Sequence, residues 1–254
     1  MSKELDKYLD EHFDPAKTAE EIIAWIRKWF EDNGPESVAV VGLSGGKDST
    51  SVASLCARAL GKDRVIGVLM PDHTQSDIDV SRKVAEYLGI RHYVVNIGDI
   101  TDAVKNTLGK FDFELSDQTR LNIPPRVRMT VLYAISQSFN GRVSNNCNRS
   151  ENYVGYSTLF GDAAGDFSVL HNLTVSEIIR LGEYLGIPDE FIYKKPSDGL
   201  SGKTDEDNFG FTYDELDRYI FTGTSGNERS DELIRKRHLA NDFKMHPMDS
   251  YKPE

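Results

Sequence analysis

A glycine-rich turn near the start of the chain constrains the fold more than any other feature. Residues 38–43 before it are mostly β-branched and apolar, with no polar alternation, which is typical of a strand buried on both faces. The turn, 44–49, has the sequence SGGKDS, and apolar residues recur at helical spacing from Thr50 onward. Such a turn aims the free N–H groups of the helix start at one point, where the helix dipole adds about half a positive charge. The pattern predicts an anion site.

The turn differs from the Walker A phosphate loop. Asp48 follows Lys47 where that motif has Ser or Thr, and the first glycine of the motif is not at its required position. A carboxylate at a helix start repels phosphate unless both bind one metal ion, so Asp48 predicts a Mg²⁺ site. An ordinary strand-to-helix turn is the alternative, and the two glycines, two serines and the aspartate together argue against it.

Strands and helices alternate after this turn. The pattern predicts strands at 38–43, 64–70 and 92–97 and helices from 50, at 77–88 and at 99–108. This alternation indicates an α/β fold with a doubly wound, mostly parallel sheet and helices on both faces, that is, a Rossmann-like fold. Ligands of such sheets bind beyond the carboxyl ends of the strands, so we expect the 44–49 turn to lie beside the 70–75 turn, with phosphates at the first and adenine at the second.

Apolar periodicity and end signals predict five further helices. They are 15–33 with Asp14 as N-cap, one from Pro124-Pro125 to 139, one from 174 or 176 to 185, 213–221 and 230–239. In the second of these, Arg126 and Arg128 would lie in the first turn and oppose the helix dipole. That conflict is expected where an anion is bound, although solvated surface arginines are the alternative.

Two polar segments carry little apolar periodicity. Residues 142–166 are rich in Asn, Ser and Gly, which favours a functional loop over a linker. Residues 196–208 are rich in Gly and Asp and are a candidate lid, with a surface loop of no function as the alternative.

Composition excludes several classes of protein. The 254 residues include 30 basic and 41 acidic side chains, a net charge of −11, which disfavours a nucleic-acid partner. Only Cys56 and Cys147 are present, so no disulfide framework or zinc site is indicated. The amino end has no apolar leader and no run of 18 apolar residues occurs, so we expect a cytoplasmic protein without a membrane segment. The length fits one domain, 1–254.

Several motifs in order resemble one enzyme family. The string SGGKDS after an apolar strand resembles the pyrophosphate loop of the N-type ATP pyrophosphatases, which have an adenine nucleotide alpha hydrolase-like fold. The succession of SGGKDS, PPRVRM, NRSE, GYSTLFGD and FTYDELDRYI resembles the NAD synthetases over most of the chain. The chain is too short to hold a glutaminase domain as well, so the ammonia-dependent form is expected.

This resemblance implies a ligase reaction. Deamido-NAD would attack the α-phosphate of ATP and release pyrophosphate, and ammonia would then displace AMP from the NAD-adenylate to give NAD. The implied cofactor is Mg²⁺, and the implied assembly is a homodimer. The exposed helix with Trp25 and Trp29 and the helix after Pro125 are the candidate interface elements.

The resemblance also assigns site residues. Asp48 and Glu151 would bind Mg²⁺, and Arg126, Asp166 and His238 would contact deamido-NAD. Since ammonium must lose a proton before it attacks, Asp166 or Asp162 is the hypothetical proton acceptor, and these two with Asp48 are the predicted catalytic residues. The predicted ATP contacts are Gly42, Leu43, Ser44, Gly45, Gly46, Lys47, Asp48, Ser49, Met70, Asn146 and Ser197.

The chain departs from the family pattern at three positions that are lysine in some or many members: Leu159, Val175 and Leu239. Lys194, Lys195 or Lys203 would have to compensate for the lost charge. Two rival functions stay open, a tRNA-modifying ATP pyrophosphatase and a non-catalytic nucleotide sensor. The acidic net charge and the two isolated cysteines argue against the first.

Overall fold

A computed structural model of the protein describes residues 1–74, 78–194, 204–246, 248, 250 and 251. Its sheet has five strands in the order β3-β2-β1-β4-β5, and every pairing is parallel. The strands are β1 (Val38–Gly42), β2 (Val65–Leu69), β3 (Arg91–Val94), β4 (Gly141–Asn145) and β5 (Phe167–Ser168). The strand order reverses between β1 and β4, which is where an open parallel sheet forms its ligand crevice.

Twelve α-helices lie in the described part of the chain. They are α1 (Lys3–His12), α2 (Pro15–Asn33), α3 (Lys47–Leu60), α4 (Ile78–Leu88), α5 (Gly98–Leu108), α6 (Asp117–Ser138), α7 (Arg149–Val154), α8 (Val175–Tyr184), α9 (Asp189–Ile192), α10 (Asp205–Phe209), α11 (Tyr213–Thr222) and α12 (Glu228–Asn241). Short 3-10 helices span Lys62–Arg64 and Asp242–Met245. None of the helices so described is long and apolar enough to cross a membrane.

Helices cover both faces of the sheet, which confirms the predicted α/β architecture. Successive residues of β1 point to opposite faces: Ala39 and Val41 pack with α2, α3 and α8, whereas Val40 packs with α6. A third apolar cluster joins α7, α11 and α12 around Val154 and Leu216. This cluster seats the carboxyl-terminal helix against α7.

The prediction that Pro124 and Pro125 open a helix is wrong. The helix begins at Asp117, because Ser116 caps it by accepting a hydrogen bond from the Thr119 N–H at 3.1 Å, and both prolines lie inside it. The fold therefore tolerates the loss of the backbone hydrogen bonds that the two prolines cannot donate. Arg126 and Arg128 lie well inside the helix, so the argument from first-turn arginines does not hold.

The segment 142–166 is only partly a loop. It begins on β4 and contains α7, a helix of six residues that is too short to show periodicity. Its start is marked by a capping box in which Asn148 and Glu151 bond reciprocally. In the candidate lid, α10 follows Thr204, and residues 195–203 lie outside the described part of the chain.

Candidate active site

A cavity of about 960 Å³ lies at the carboxyl ends of β1, β2 and β4. This volume is near the upper end of the roughly 300–1,000 Å³ usual for ligand pockets. Helix α6 forms one wall, and α7, α10 and the end of α12 contribute to the others. The predicted site residues that line it are Gly42, Leu43, Ser44, Gly46, Lys47, Asp48, Ser49, Met70, Asn146, Glu151 and Asp162.

The glycine-rich turn connects β1 to α3 along the cavity. Gly45 has φ +76°, and a Cβ there would lie 2.9 Å from the Ser81 nitrogen, so only glycine fits. The Ser49 hydroxyl accepts a hydrogen bond from the Ser44 N–H at 3.2 Å. No described side chain caps the start of α3 at Gly46. The N–H groups of the first turn are therefore available for an anionic ligand.

Lys47 is a buried cation at the start of α3. Only 5 % of its surface is exposed, and its Nζ lies 2.9 Å from Oδ2 of Asp48 and 5.6 Å from the centre of the Tyr213 ring. Burial works to lower the pKa of Lys47, but the carboxylates of Asp48, Glu151 and Asp205 outweigh it and raise the pKa above its ordinary value. The ammonium group is therefore charged at neutral pH.

Asp48 and Glu151 meet on one residue, Asn148. Its Nδ2 donates to Oδ1 of Asp48 at 3.2 Å, and its backbone N–H donates to Oε2 of Glu151 at 3.1 Å. Burial, and then the charge of Asp48, raise the pKa of Glu151, although part of its side chain faces the open cavity. The fold thus brings two acids from α3 and α7 together at an electrostatic cost, as a cation site does.

A third carboxylate, Asp205 at the start of α10, was not predicted. It is 6 % exposed, and its oxygens accept hydrogen bonds from the hydroxyls of Tyr213 at 3.1 Å and Tyr156 at 3.3 Å. The capping sequence from Thr204 to Asp207 is the signal that could have placed it at a helix start. We call the turn 44–49, Asn148, Glu151 and Asp205 the loop end of the cavity.

A second part of the cavity, which we call the far end, is lined by Asn122, Arg128, Thr158, Asp162 and Lys244. The Thr158 N–H donates to Oδ1 of Asp162 at 2.8 Å, and the Thr158 hydroxyl donates to Oδ1 of Asn122 at 3.0 Å. Arg128 donates through Nε to the Met70 carbonyl at 3.1 Å. Hydrogen bonds between α6 and the loop after α7 therefore hold this end together.

Three predicted substrate contacts do not line the cavity. Asp166 accepts hydrogen bonds from the Val143 N–H at 2.7 Å and the Tyr133 hydroxyl at 3.3 Å, so it secures the β4–β5 edge. Arg126 donates to a loop carbonyl at 3.3 Å, and the Nδ1 of His238 donates to a carbonyl at the end of α7 at 2.8 Å. Their contacts with substrate remain predictions. Ser197 lies outside the described residues.

Several cations other than Lys47 line the cavity. Lys194, one of the residues suggested to replace the missing lysines, donates from Nζ to the Ser44 carbonyl at 3.2 Å. Lys195 and Lys203 lie outside the described residues. Arg237 and Lys244 also line the cavity and were not predicted, because no local motif marks them.

Comparisons with known proteins agree over most of the chain. A family model for NAD synthase matches residues 18–252. An NH(3)-dependent NAD(+) synthetase from Thermococcus sibiricus is 38% identical over 227 residues, which are 89% of this chain and 88% of the relative. The solved structure of an NMN synthetase from Francisella tularensis matches with a TM-score of 0.87 at 32% identity, covering 94% of this chain and 99% of that one. That of an NH3-dependent NAD synthetase from Campylobacter jejuni, in complex with nitrate, matches with a TM-score of 0.76 at 27% identity, covering 94% and 100%.

Proposed function

The chain belongs to the NAD synthase family and is a ligase, and on this basis we propose that it is an ammonia-dependent NAD synthetase. It would convert deamido-NAD, ATP and ammonia into NAD, AMP and pyrophosphate. The observation that best supports this chemistry is the meeting of Asp48 and Glu151 on Asn148, beside Lys47 and the glycine-rich turn. This arrangement suits cleavage of a nucleoside triphosphate.

The first step forms an adenylate. The carboxylate of the nicotinic acid ring attacks the α-phosphorus of ATP, the bond to the bridging oxygen of pyrophosphate breaks, and the leaving group takes the electron pair. Charge would build on the pyrophosphate, and the N–H groups of the 44–49 turn and the ammonium of Lys47 would stabilise it. Fixed donors at a point of developing charge lower the barrier because they need no reorganisation.

Asp48 and Glu151 would hold Mg²⁺. Their mutual repulsion, which contributes to the raised pKa of Glu151, fits a site completed by a cation. The described residues contain no group of three or more His, Cys, Asp or Glu side chains able to hold a metal, so phosphate and water oxygens would supply the other ligands. That is the usual manner of Mg²⁺ binding at nucleotide sites, where the ion offsets phosphate charge.

Ammonia must be uncharged to attack the adenylate carbonyl. Asp162 lines the far end of the cavity and is the better placed of the two proposed proton acceptors. Asp166 instead uses its carboxylate oxygens on the Val143 N–H and the Tyr133 hydroxyl. We assign the transfer of the ammonium proton to Asp162, whose carboxylate would take it before the amine attacks.

A turnover assay tests the proposed function. The purified protein with ATP, Mg²⁺, deamido-NAD and ammonium should yield NAD and AMP in equal amounts. ADP with inorganic phosphate would contradict cleavage between the α and β phosphates, and no turnover with a bound nucleotide would favour a sensor.

A second candidate substrate is the mononucleotide of nicotinic acid, and the match to the NMN synthetase structure favours it. The match of this chain to that structure has a higher TM-score and a higher sequence identity than its match to the Campylobacter jejuni synthetase. The two substrates carry the same reacting carboxylate, so the ratio of their kcat/KM values decides between them. A kcat/KM for deamido-NAD more than about ten times that for the mononucleotide would support the proposal of an NAD synthetase.

A homodimer and a cytoplasmic location are also proposed. Trp25 is 43 % exposed and Phe111 and Phe113 stack on the surface, which leaves apolar area for a partner copy. Trp29, in contrast, is half-buried against Phe167, so it adds little to such an interface. Light scattering measures the mass of the protein in solution, which distinguishes a monomer from a homodimer.

The proposed cytoplasmic location is supported by the two free cysteines, which suit a reducing compartment.

A further inference from the structure

The ammonium group of Lys47 lies on a carboxylate that is proposed to bind the metal. Its Nζ donates to Oδ2 of Asp48 at 2.9 Å, and this is its one hydrogen bond within the described part of the chain. Neighbouring residues on a helix do not face one another, so the pair forms because the long Lys47 side chain bends over the start of α3. The attraction between the two charges therefore holds the ammonium group in place.

Two further acids attract the same ammonium group. The charges of Asp48, Glu151 and Asp205 all act on it. It lies 5.6 Å from the centre of the Tyr213 ring, whose hydroxyl donates to Oδ2 of Asp205 at 3.1 Å. Since Lys47 is only 5 % exposed, water does little to screen these charges. Lys47 is therefore the cation that the chain itself supplies to the acids of the loop end.

Both carboxylate oxygens of Asp48 accept a hydrogen bond. Oδ1 accepts from Nδ2 of Asn148 at 3.2 Å, and Oδ2 accepts from Lys47. Whichever oxygen a Mg²⁺ ion takes, at about 2.0–2.1 Å, an ammonium on the same carboxylate lies close enough to repel it. The amide of Asn148 is buried and held by the capping box of α7, so Lys47 is the partner that can leave.

The phosphates of ATP would offer the ammonium group another acceptor. A lysine has a flexible four-carbon stem and three N–H donors, so it can turn from a carboxylate to a phosphate oxygen. The N–H groups at the start of α3 would hold phosphate beside Lys47, because both belong to the 44–49 turn. Without a phosphate, leaving Asp48 would strand a buried charge, which is costly.

We propose that Lys47 keeps Asp48 from binding a metal until phosphate oxygens of ATP accept the ammonium group. Lys47 is then a positioning residue for the metal site as well as a phosphate contact, and the site takes up Mg²⁺ together with the nucleotide rather than before it. The inference rests on the proposed function for the identity of the metal and of the nucleotide.

Binding of Mn²⁺, a paramagnetic substitute for Mg²⁺ at oxygen ligands, provides the first test. Lys47→Met removes the charge and keeps the length of the side chain, Lys47→Arg keeps the charge, and Lys236→Met is the matched control at an exposed lysine of α12. Electron paramagnetic resonance measures free Mn²⁺ in titrations without nucleotide. Lys47→Met should bind Mn²⁺ at least about tenfold more tightly than the parent, because it no longer presents a cation to the metal. Lys47→Arg should bind no more tightly than the parent, and Lys236→Met should match it.

The direction of this effect distinguishes the proposal from a structural role of Lys47. Loss of a purely structural ion pair would distort the site and weaken Mn²⁺ binding. A folded Lys47→Met protein with unchanged or weaker Mn²⁺ binding therefore overturns the proposal. Lys47→Arg with an Mn²⁺ affinity as high as that of Lys47→Met overturns it as well, since the charge would then be irrelevant.

A crystal structure of the parent with bound ligands provides a test that needs no variant and no turnover. The ligands are Mg²⁺ and an ATP analogue in which a carbon atom joins the α and β phosphorus atoms. The Nζ of Lys47 should lie on a phosphate oxygen and more than about 4 Å from Oδ2 of Asp48, beyond the range of an ion pair. A metal bound to Asp48 beside an intact pair with Lys47 overturns the proposal.

The two tests separate this inference from the proposed function. Tighter Mn²⁺ binding by Lys47→Met, in a protein whose parent form has no ligase activity, supports the role of Lys47 and contradicts the proposed reaction. Formation of NAD and AMP by the parent, with Mn²⁺ affinity unchanged in Lys47→Met, overturns the role of Lys47 and leaves the reaction standing. If Lys47→Met does not fold, the structure of the parent alone decides.

Discussion

The two ends of the cavity are built in different ways. The loop end consists mainly of one continuous stretch, 44–49, together with the capping box of Asn148 and Glu151. The far end consists of side chains from α6, the loop after α7 and the 3-10 helix after α12. Short-range sequence therefore determines where the triphosphate is proposed to react, whereas only tertiary packing determines the other end. Mutations at the two ends should differ accordingly.

The largest expected effect is at the loop end. Asp48→Asn should lower kcat about 1,000-fold, because it removes the carboxylate proposed to hold Mg²⁺ beside Lys47 and Glu151. Raising the Mg²⁺ concentration should recover part of the loss. Asp63→Asn, at an exposed aspartate, is the control and should match the parent. A loss of less than tenfold for Asp48→Asn would remove this residue from the chemistry and with it the distinction between the ends.

The next effect is at the far end. Asp162→Asn should lower kcat about 100-fold, since general-base catalysis contributes roughly 10²–10⁴-fold. The loss should shrink as pH rises, because free ammonia then replaces ammonium as the nucleophile. The comparison is Asp166→Asn, which loses its role at the β4–β5 edge and should reduce stability more than activity. If Asp166→Asn instead shows the larger and pH-dependent fall in kcat, the assignment of the proton acceptor is reversed.

How far sequence predicts each end depends on how local the determining interactions are. The 44–49 turn and Glu151 are visible as SGGKDS and NRSE, because the first motif contains its own hydrogen bond from Ser44 to Ser49 and the second contains its own capping box. Lys244 carries no such mark, since its position follows from the contact between α12 and Gly155. The start of α6 was missed because the prolines at 124 and 125 are a stronger local signal than the cap at Ser116, although packing against the sheet determines the helix.

A pair of glycines tests whether the loop end depends on close backbone approach. Gly45→Ala introduces a side chain at φ +76° and 2.9 Å from the Ser81 nitrogen, whereas Gly61→Ala meets φ +87° with nothing within 4 Å. Both should lose about 1 kcal/mol of unfolding free energy from backbone strain. Only Gly45→Ala should raise the KM for ATP, about tenfold. Chemical denaturation of both variants measures the loss of unfolding free energy, and steady-state kinetics measures the KM for ATP. Equal KM values for the two variants would mean that backbone strain, and not the close approach at Gly45, accounts for the effect of Gly45→Ala.

The last expected effect is on stability rather than on activity, at a support that both ends share. Asp217, in α11, is fully buried and accepts hydrogen bonds from the Ser150 hydroxyl in α7 and from the Ser176 N–H in α8 at 2.8 Å. Helix α7 carries Glu151 at the loop end and leads into the loop that forms the far end. Burial raises the pKa of Asp217 to about 6, and the hydrogen bonds from Ser150 and Ser176 oppose that shift.

The pH dependence of stability should report this carboxyl. Since its pKa is higher in the folded protein than the ordinary 3.8, the folded state holds the proton more tightly. Its contribution to the unfolding free energy is therefore complete below about pH 4 and is lost as pH rises through about 6, a change of about 3 kcal/mol. Asp217→Asn should abolish this component in urea unfolding at pH 4.5 to 7.5, with Asp63→Asn as the exposed control. A difference in unfolding free energy between Asp217→Asn and the parent that stays constant across that range would show that Asp217 does not titrate there. Asp217 would then be a permanently charged acceptor of the hydrogen bonds from Ser150 and Ser176.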